Sequence, residues 1–516
     1  MKIKNKLLLL IFAGCTMFSC DEGFIDLSPE DQQSANSFFQ TEDQFYQAVN
    51  AAYTPFRDLL VNDFFTGEMR SDNTHYEYSD INFGTAYIFR RSIADFNDDE
   101  FNSYSNAVYF HCYKGISRSN IVLDRIESAS LSEEASMDII GQAKFIRALN
   151  YFNLVRYFGD VPLYLHEVTS TEGAFLPRSS TQDVYNLIIQ DAEEAISMLA
   201  APSGFPQSGR ATKGAATMLL ARVHLRLKNY QKAEELLKNL QSMGYGLLEN
   251  YEDVFALEYK NSKESIFEIQ FKQGDQGGQQ NSLIYSFLPR SLNTSLITGV
   301  ATNNSGGGGW NTPTPELIAS FEEGDSRLDA SIGIAEGTYD ASNYFTISEN
   351  KSILDYTPEE GKIGVPYIKK YVTPHSLPNN TDSNWPIFRY SDALLSLAEA
   401  LNEQGKSAEA LSYINEVRDR AFGEGVKPVT TTDQAELRLA ILHERQVELA
   451  FENHRWHDLV RTGEAIIVMS DFGAKQKERH DYLTAETYQI DQNRLLFPIP
   501  KSEIDLNPDL TQNAGY

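Results

Sequence analysis

The strongest constraint on the fold is an internal repeat. "LLARVHLRLKNYQKAEELL" (219–237) lies on "SLAEALNEQGKSAEALSYI" (396–414) at an offset of 396 − 219 = 177 residues. Ala221 then falls on Ala398, Ala233 on Ala410 and Leu237 on Ile414. Each copy reads as helix, short turn, helix, with a small residue on each helix where the two can approach closely. That is the tetratricopeptide pattern, in which stacked helical hairpins bury a continuous core that no single unit could bury alone. Ala221 and Ala398 are accordingly expected to be buried.

Helical periodicity extends beyond the repeat. "MDIIGQAKFIRALNYFNLVRYFG" places Ile139, Ile140, Ala143, Ile146, Leu149, Phe152, Leu154 and Tyr157 at helical spacing and stops at Gly159, with Pro162 beyond. "TQDVYNLIIQDAEEAISML" is a second amphipathic segment with Thr181 as candidate N-cap. Between the repeats the pattern fails: "GDQGGQQ" and "TNNSGGGGWNTPTPE" cannot be regular helix. "SIFEIQF" and "YIKKYVT" are short strand-like pieces within otherwise irregular sequence. The chain is therefore expected to be mainly α, a tetratricopeptide-like helical-hairpin scaffold (about 41–272 and 389–460) interrupted by a loop-rich irregular insertion carrying short strands (about 273–388). A C-terminal segment, 461–516, follows.

The amino terminus makes a different argument. Lys2, Lys4 and Lys6 precede an apolar run too short for a transmembrane helix, which reads as an export signal. The run ends in Met17-Phe18-Ser19-Cys20, followed at once by Asp21 and Glu22. A small residue and then a thiol is what a lipoprotein signal looks like, and more than one acyl chain on that cysteine would hold a membrane stably. Residues 1–19 are read as signal peptide, Cys20 as the lipidated residue and 20–40 as a tether. Cys15 is a rival acceptor. Apart from these two cysteines only Cys112 remains, too few for a disulfide framework or a thiolate cluster. The net charge of −28 argues against nucleic acid as a partner.

Motifs for catalysis find no support. "HERQVELAFENHRWHDLVR" sets His454 and His457 three apart, but the zincin spacing fails because Val447 stands where its second histidine belongs. A helix end fixed by Arg455, Trp456 and Asp458 is the better reading. "DFNDDE" resembles a calcium loop in Asp95, Asn97 and Asp99, yet Glu100 stands where the turn needs Gly and Asn106 where it needs Glu. No metal and no cofactor is expected. Aromatics say more: from Phe64 to Tyr113 they occur at about twice the chain's 12%. Tyr76, Tyr78, Phe83 and Tyr87, with Asn82, lie in polar sequence; Trp310 follows four glycines and precedes Asn311; Trp385 sits in "NNTDSNWPIF". Ring faces on loops, interleaved with amides and carboxylates, suit the apolar face and the hydroxyls of a sugar. These eight residues are the expected ligand site, with Trp310 first because so little local sequence could bury it.

Taken together, "SCDEGFIDLSPED", "AKFIRALNYFNLVRYFGDVPL", "GRATKGAATMLLARVHL", "RYSDALLSLAEALNE", "ERQVELAFENHRWHDLVRTG" and "LLFPIPKSEIDLNPDLTQNAGY" resemble the SusD/RagB family of outer-membrane nutrient-binding lipoproteins over essentially the whole chain. The resemblance implies about four tetratricopeptide-like units against a loop-rich half, and a lipid anchor at Cys20 in the outer membrane, with the protein exposed at the cell surface. It implies a non-enzymatic role as lid of a SusC-like, TonB-dependent transporter that imports oligosaccharide or polysaccharide. A peptide ligand, as in the RagB branch, is the alternative, and a glycoside hydrolase a distant third. The family's shared motifs, including "HRWHDL" and "FPIP", imply scaffold and not ligand site.

Overall fold

The computed structural model describes residues 38–79, 84–274, 279–341 and 344–516. The leader with Cys20, and Asn82 and Phe83, lie outside the described residues.

The helices form where the periodic blocks predict them. They are α1 (Glu42–Tyr53), α2 (Pro55–Thr66), α3 (Thr85–Ala94), α4 (Ser103–Ile126), α5 (Glu133–Phe158), α6 (Thr181–Met198), α7 (Lys213–Arg226) and α8 (Tyr230–Gln241). After the insertion come α9 (Tyr390–Glu403), α10 (Ser407–Phe422), α11 (Gln434–Glu448), α12 (Arg455–Thr462) and α13 (Ala465–Arg479). Among the described residues none is long and apolar enough to cross a membrane. Helices pack in pairs as α2/α4 (past the short α3), α5/α6, α7/α8 and α9/α10, the stacked hairpin pairs of a tetratricopeptide-like scaffold. Ala221, Ala398, Ala233 and Ala410 are fully buried, as close helix approach requires.

Local chemistry sets the helix ends. The α6 cap is Ser180, one residue before the expected Thr181: its Oγ accepts from Asp183 N at 3.2 Å, while Thr181 N donates to Asp160 Oδ1 at 2.6 Å. At the end of α5, Gly159 takes a φ of 71°, and a Cβ there would come within 2.9 Å of Leu496. Only glycine fits that position comfortably.

The insertion is closed at its neck by an antiparallel pair, β2 (Ser265–Ile269) with β7 (Trp385–Arg389), in which Ile269 faces Trp385. Of the two strand-like pieces, "SIFEIQF" is β2, whereas "YIKKYVT" contributes only its first two residues, the end of β6 (Ile363–Ile368). β6 joins β4 (Ile332–Tyr339) and β5 (Phe345–Ser352) in an antiparallel sheet of order β5-β4-β6. The insertion is thus more regular than its Gly- and Asn-rich sequence suggests. The short pair β1 (Thr74–His75) and β3 (Thr312–Pro313) ties it back to the helical half.

A buried ionic knot sits where β7 enters α9. The Arg389 guanidinium reaches Glu264 at 2.9 Å, Glu448 at 3.0 Å and Glu452 at 2.6 Å. Arg420 reaches Glu264 and Glu448, and Arg327 reaches Glu448 at 3.1 Å. Lys370 of the insertion pairs with Glu452 at 2.8 Å. Against the cost of burial, Arg420, Arg389 and Arg327 hold the Glu448 carboxyl well below the usual carboxylate range.

The C-terminal segment returns along the helical half as a strap. Phe497 N donates to Tyr157 O at 2.7 Å and Tyr488 N to Asp95 O at 2.8 Å. Arg70, fully buried, lies 4.2 Å from the Phe497 ring and 5.4 Å from that of Trp456, and donates to Asp98 at 2.6 Å. "HRWHDL" and "FPIP" are therefore interior scaffold.

Candidate functional site

The glycine run before Trp310 does the opposite of what its composition suggests. A Cβ on Gly308 would lie 2.4 Å from Leu288 O, and one on Gly309, whose φ is +79°, 2.6 Å from Arg290 Cγ and 2.9 Å from Glu77 Cβ. The absent side chains let the loop press directly onto the segments at 288–290 and 77. Gly309 N donates to Leu288 O and Glu77 N to Gly309 O, both at 2.7 Å, which drives Trp310 inward. Its ring packs 5.3 Å from Tyr87, 5.8 Å from Phe65 and 6.1 Å from Tyr76, with the Arg90 guanidinium 5.1 Å away. Trp310 is 3% exposed.

Above this buried tier lies an open one. Tyr78 stacks on Tyr482 at 3.8 Å and 6°, Tyr482 on His480 at 5.1 Å and 26°, and His480 on His75 at 5.5 Å and 20°. The four rings form a ladder that runs from buried His75 to Tyr78, 37% exposed. Arg91 on α3 lies 5.5 Å from the Tyr78 ring centre and 5.9 Å from that of Tyr482. Arg91 also donates to Asp95 at 3.2 Å, and Tyr76 OH donates to both Asp95 oxygens at 3.0 Å. Burial pushes the Asp95 carboxyl up to about 7 against the pull of Arg91. It likewise pushes Glu77 up to about 7, although Glu77 accepts the Arg290 N–H. Tyr339 at the end of β4 is 45% exposed, and burial of its hydroxyl, with the Glu77 charge, raises its pKa.

The expected residues divide accordingly. Trp310, Tyr76 and Tyr87 come together, but as a buried cluster; the surface indole expected of Trp310 is corrected to a core one. Asn311 is also buried: it takes a φ of 53°, and its Oδ1 accepts from Thr74 Oγ1 at 2.9 Å. Its role is to carry a left-handed turn, a conformation Asn tolerates. Trp385 is elsewhere, at the neck, stacked on Tyr371 at 4.6 Å and 2% exposed. The apolar neck needs a large ring there, so its loop-like flanks misled. Tyr78 is the one expected ring among the described residues left substantially open.

Sequence reasoning missed Tyr482, His480, Arg91 and Tyr339. Tyr482 and His480 come from the strap, about 400 residues from Tyr78 in sequence, and no local pattern could pair them. Arg91 carried a weak signal, its place on the same helix as Tyr87 and one turn away.

The rejected motifs are structural. His454 caps α12 and lies 2.9 Å from Arg222, its pKa pushed down to about 3 by burial and that neighbour. His457 is buried against Tyr157. Asp95 of the calcium-like stretch is engaged by Tyr76 and Arg91. Glu336, Glu349 and Glu359 converge within 4.8 Å, but Lys351 reaches Glu336 at 2.8 Å and Lys362 reaches Glu359 at 2.7 Å. Two ammonium groups, each paired with all three carboxylates, already offset most of that cluster's charge.

Two family models match the chain in series: the one described as "Starch-binding associating with outer membrane" over residues 23–225, and the one described as "SusD family" over 263–516. The chain belongs to the SusD family. SusD-like protein P25 of Formosa agariphila is 28% identical over 560 aligned positions, with 100% of each chain covered. A SusD-like protein of Bacteroides fragilis superposes with a TM-score of 0.74 at 24% identity, over 95% of this chain and 100% of that one. A structure described as a laminarin-binding SusD-like protein gives 0.73 at 25% identity, over 92% of this chain and 100% of that one. This SusD-like chain thus shares its helical, tetratricopeptide-like fold with solved relatives along nearly its full length.

Proposed function

We propose that this SusD-like protein is a non-catalytic glycan-binding lipoprotein, anchored through Cys20 in the outer membrane at the cell surface. It works as the lid of a TonB-dependent, SusC-like transporter that takes up oligosaccharide or polysaccharide. The observation that carries the reading is the Tyr78–Tyr482–His480 ladder beside Arg91. It is an aromatic platform built on loops and partly open to water, with a guanidinium within reach of hydroxyls. One solved relative is described as laminarin-binding and one matching family model as starch-binding, which makes these the first probes. Trp310, Tyr76 and Tyr87 support the platform from beneath. Asn82 and Phe83, outside the described residues, remain candidate contacts.

The test is calorimetry of the purified, unlipidated domain with laminarin and with starch oligosaccharides. Saturable binding of one, lost in Tyr482→Ala with an unchanged melting temperature, supports the proposal. Binding of peptides and of no glycan would overturn it in favour of the RagB-like alternative. The anchor is tested separately: Cys20→Ala should release the protein from membranes or leave its signal uncleaved.

A further inference from the structure

A cavity of about 270 Å³ is lined by the middle of α4, the segment 162–175 and the helix Lys501–Leu506 at the C-terminus. Its walls include Tyr109, Tyr113, Tyr164 and Phe175, and Phe175 is 40% exposed. Two hydroxyls are already committed: Tyr113 OH donates to Pro162 O and Tyr164 OH to Ala174 O, both at 2.8 Å. Those bonds fix the Tyr113 and Tyr164 rings and occupy their hydroxyls.

One carboxylate lines this wall. Glu503 is half-buried, and among the described residues its side chain has no hydrogen bond and no ion pair. Its helix neighbours satisfy each other, Lys501 with Asp505 at 3.0 Å. Arg178 is spent on other oxygens, donating to Asp160 O at 2.7 Å, to Thr511 O at 3.0 Å and to Asn513 Oδ1. His166 at the rim pairs with Asp124 at 2.9 Å. Burial raises the Glu503 pKa, the mark of a charge held without compensation. A half-desolvated anion among aromatic rings is the complement of a cation: the carboxylate supplies the counter-charge and the ring faces supply their quadrupole.

We propose that this cavity binds an organic cation, a protonated amine on an apolar body, with the ammonium beside Glu503 and the body against Tyr109, Tyr113 and Tyr164. Nothing in this depends on the ladder or on a glycan.

The probe is 2-phenylethylamine, cationic at neutral pH, with 2-phenylethanol as its neutral counterpart, titrated into the whole folded domain and followed by ligand-observed NMR. Saturable binding of the amine, about fivefold or more tighter than that of the alcohol, is expected. Glu503→Gln should abolish the preference and Phe175→Ala should weaken both ligands, whereas Tyr78→Ala should change neither. Equal affinity for amine and alcohol, an unchanged preference in Glu503→Gln, or no saturation by about 10 mM would overturn the proposal.

Discussion

In the helical half, Ala221 and Ala398 let neighbouring helices approach; in the loop-rich half, Gly308 and Gly309 let one loop press against another. Both are small residues placed where backbones meet. In the first case they recur at helical spacing within a repeat; in the second they cluster in "SGGGGWN", which reads as slack chain. The helical half packs its hairpins around those alanines, with buried ion pairs such as Asp392 with Arg222 and Arg445 between helices. The insertion is held by main-chain bonds at Leu288 and Glu77, a strand pair at its neck and a buried ionic knot. A small residue therefore marks close approach in both halves, but only periodicity announces it in advance.

The largest way to break this contrast is at the knot. Arg389→Ala would leave Glu448 and Glu452 buried with too few cations, at a cost of about 3–5 kcal/mol, measurable by denaturant unfolding. Against the cost of burial, Glu448 is held below its ordinary value by Arg420, Arg389 and Arg327, and Glu452 by Arg389 and Lys370. The sign follows from that depression. Their contribution is fully present above the ordinary carboxylate pKa, near 4, and is lost as pH falls below it. Arg389→Ala should accordingly show a flatter loss of stability than the native chain between about pH 5 and pH 2. An unchanged acid limb would remove the knot from the account of the insertion.

Next comes Trp310. Buried against Phe65, Tyr76 and Tyr87, it should cost about 3–5 kcal/mol when changed to Ala. A surface tryptophan would lose binding and keep its melting temperature; this one should lose stability first. A variant that melts like the native protein would return Trp310 to the surface.

Smaller effects sharpen the comparison directly. Ala221→Leu and Ala398→Leu should each cost about 1–3 kcal/mol by overpacking. Gly309→Ala should cost at least about 1 kcal/mol, from a positive φ and from contact with Arg290 and Glu77. If Gly309→Ala is silent in a melt while the alanine variants are not, the glycine run is slack chain after all.

These differences explain what could be read from the sequence. The helical blocks, the hairpin repeat, the stop at Gly159 and the existence of an irregular insertion were legible, because each is a local pattern. The sheet formed by β4 and β5 was not: Gly333, Gly337 and the exposed polar end of β5 blur the alternation that Ile332, Ile334, Phe345 and Ile347 begin. The site was half legible. Aromatic density pointed to Tyr76, Tyr78, Tyr87 and Trp310, but burial is a non-local property. Nothing in "SGGGGWN" states that Leu288 and Glu77 will close over it. Tyr482 and His480 reach the site through the strap, whose course is set by Phe497, Ile499 and Arg70 inside the scaffold.

The smallest predicted effect on stability belongs to the open tier. Tyr78 stacks on Tyr482 but stays 37% exposed, so Tyr78→Ala should change stability by no more than about 0.5 kcal/mol. If a sugar ring rests on this platform, the same change removes a stacking surface, and affinity should fall about tenfold, roughly 1.4 kcal/mol. The two readouts move oppositely in the two tiers: Trp310→Ala costs stability first, Tyr78→Ala costs affinity first. Paired melting curves and calorimetry on both variants, with whichever glycan binds, decide the matter. Should Tyr78→Ala bind as tightly as the native chain, the ladder would be one more internal stack. The ligand would then have to be sought at Tyr339 and Arg290.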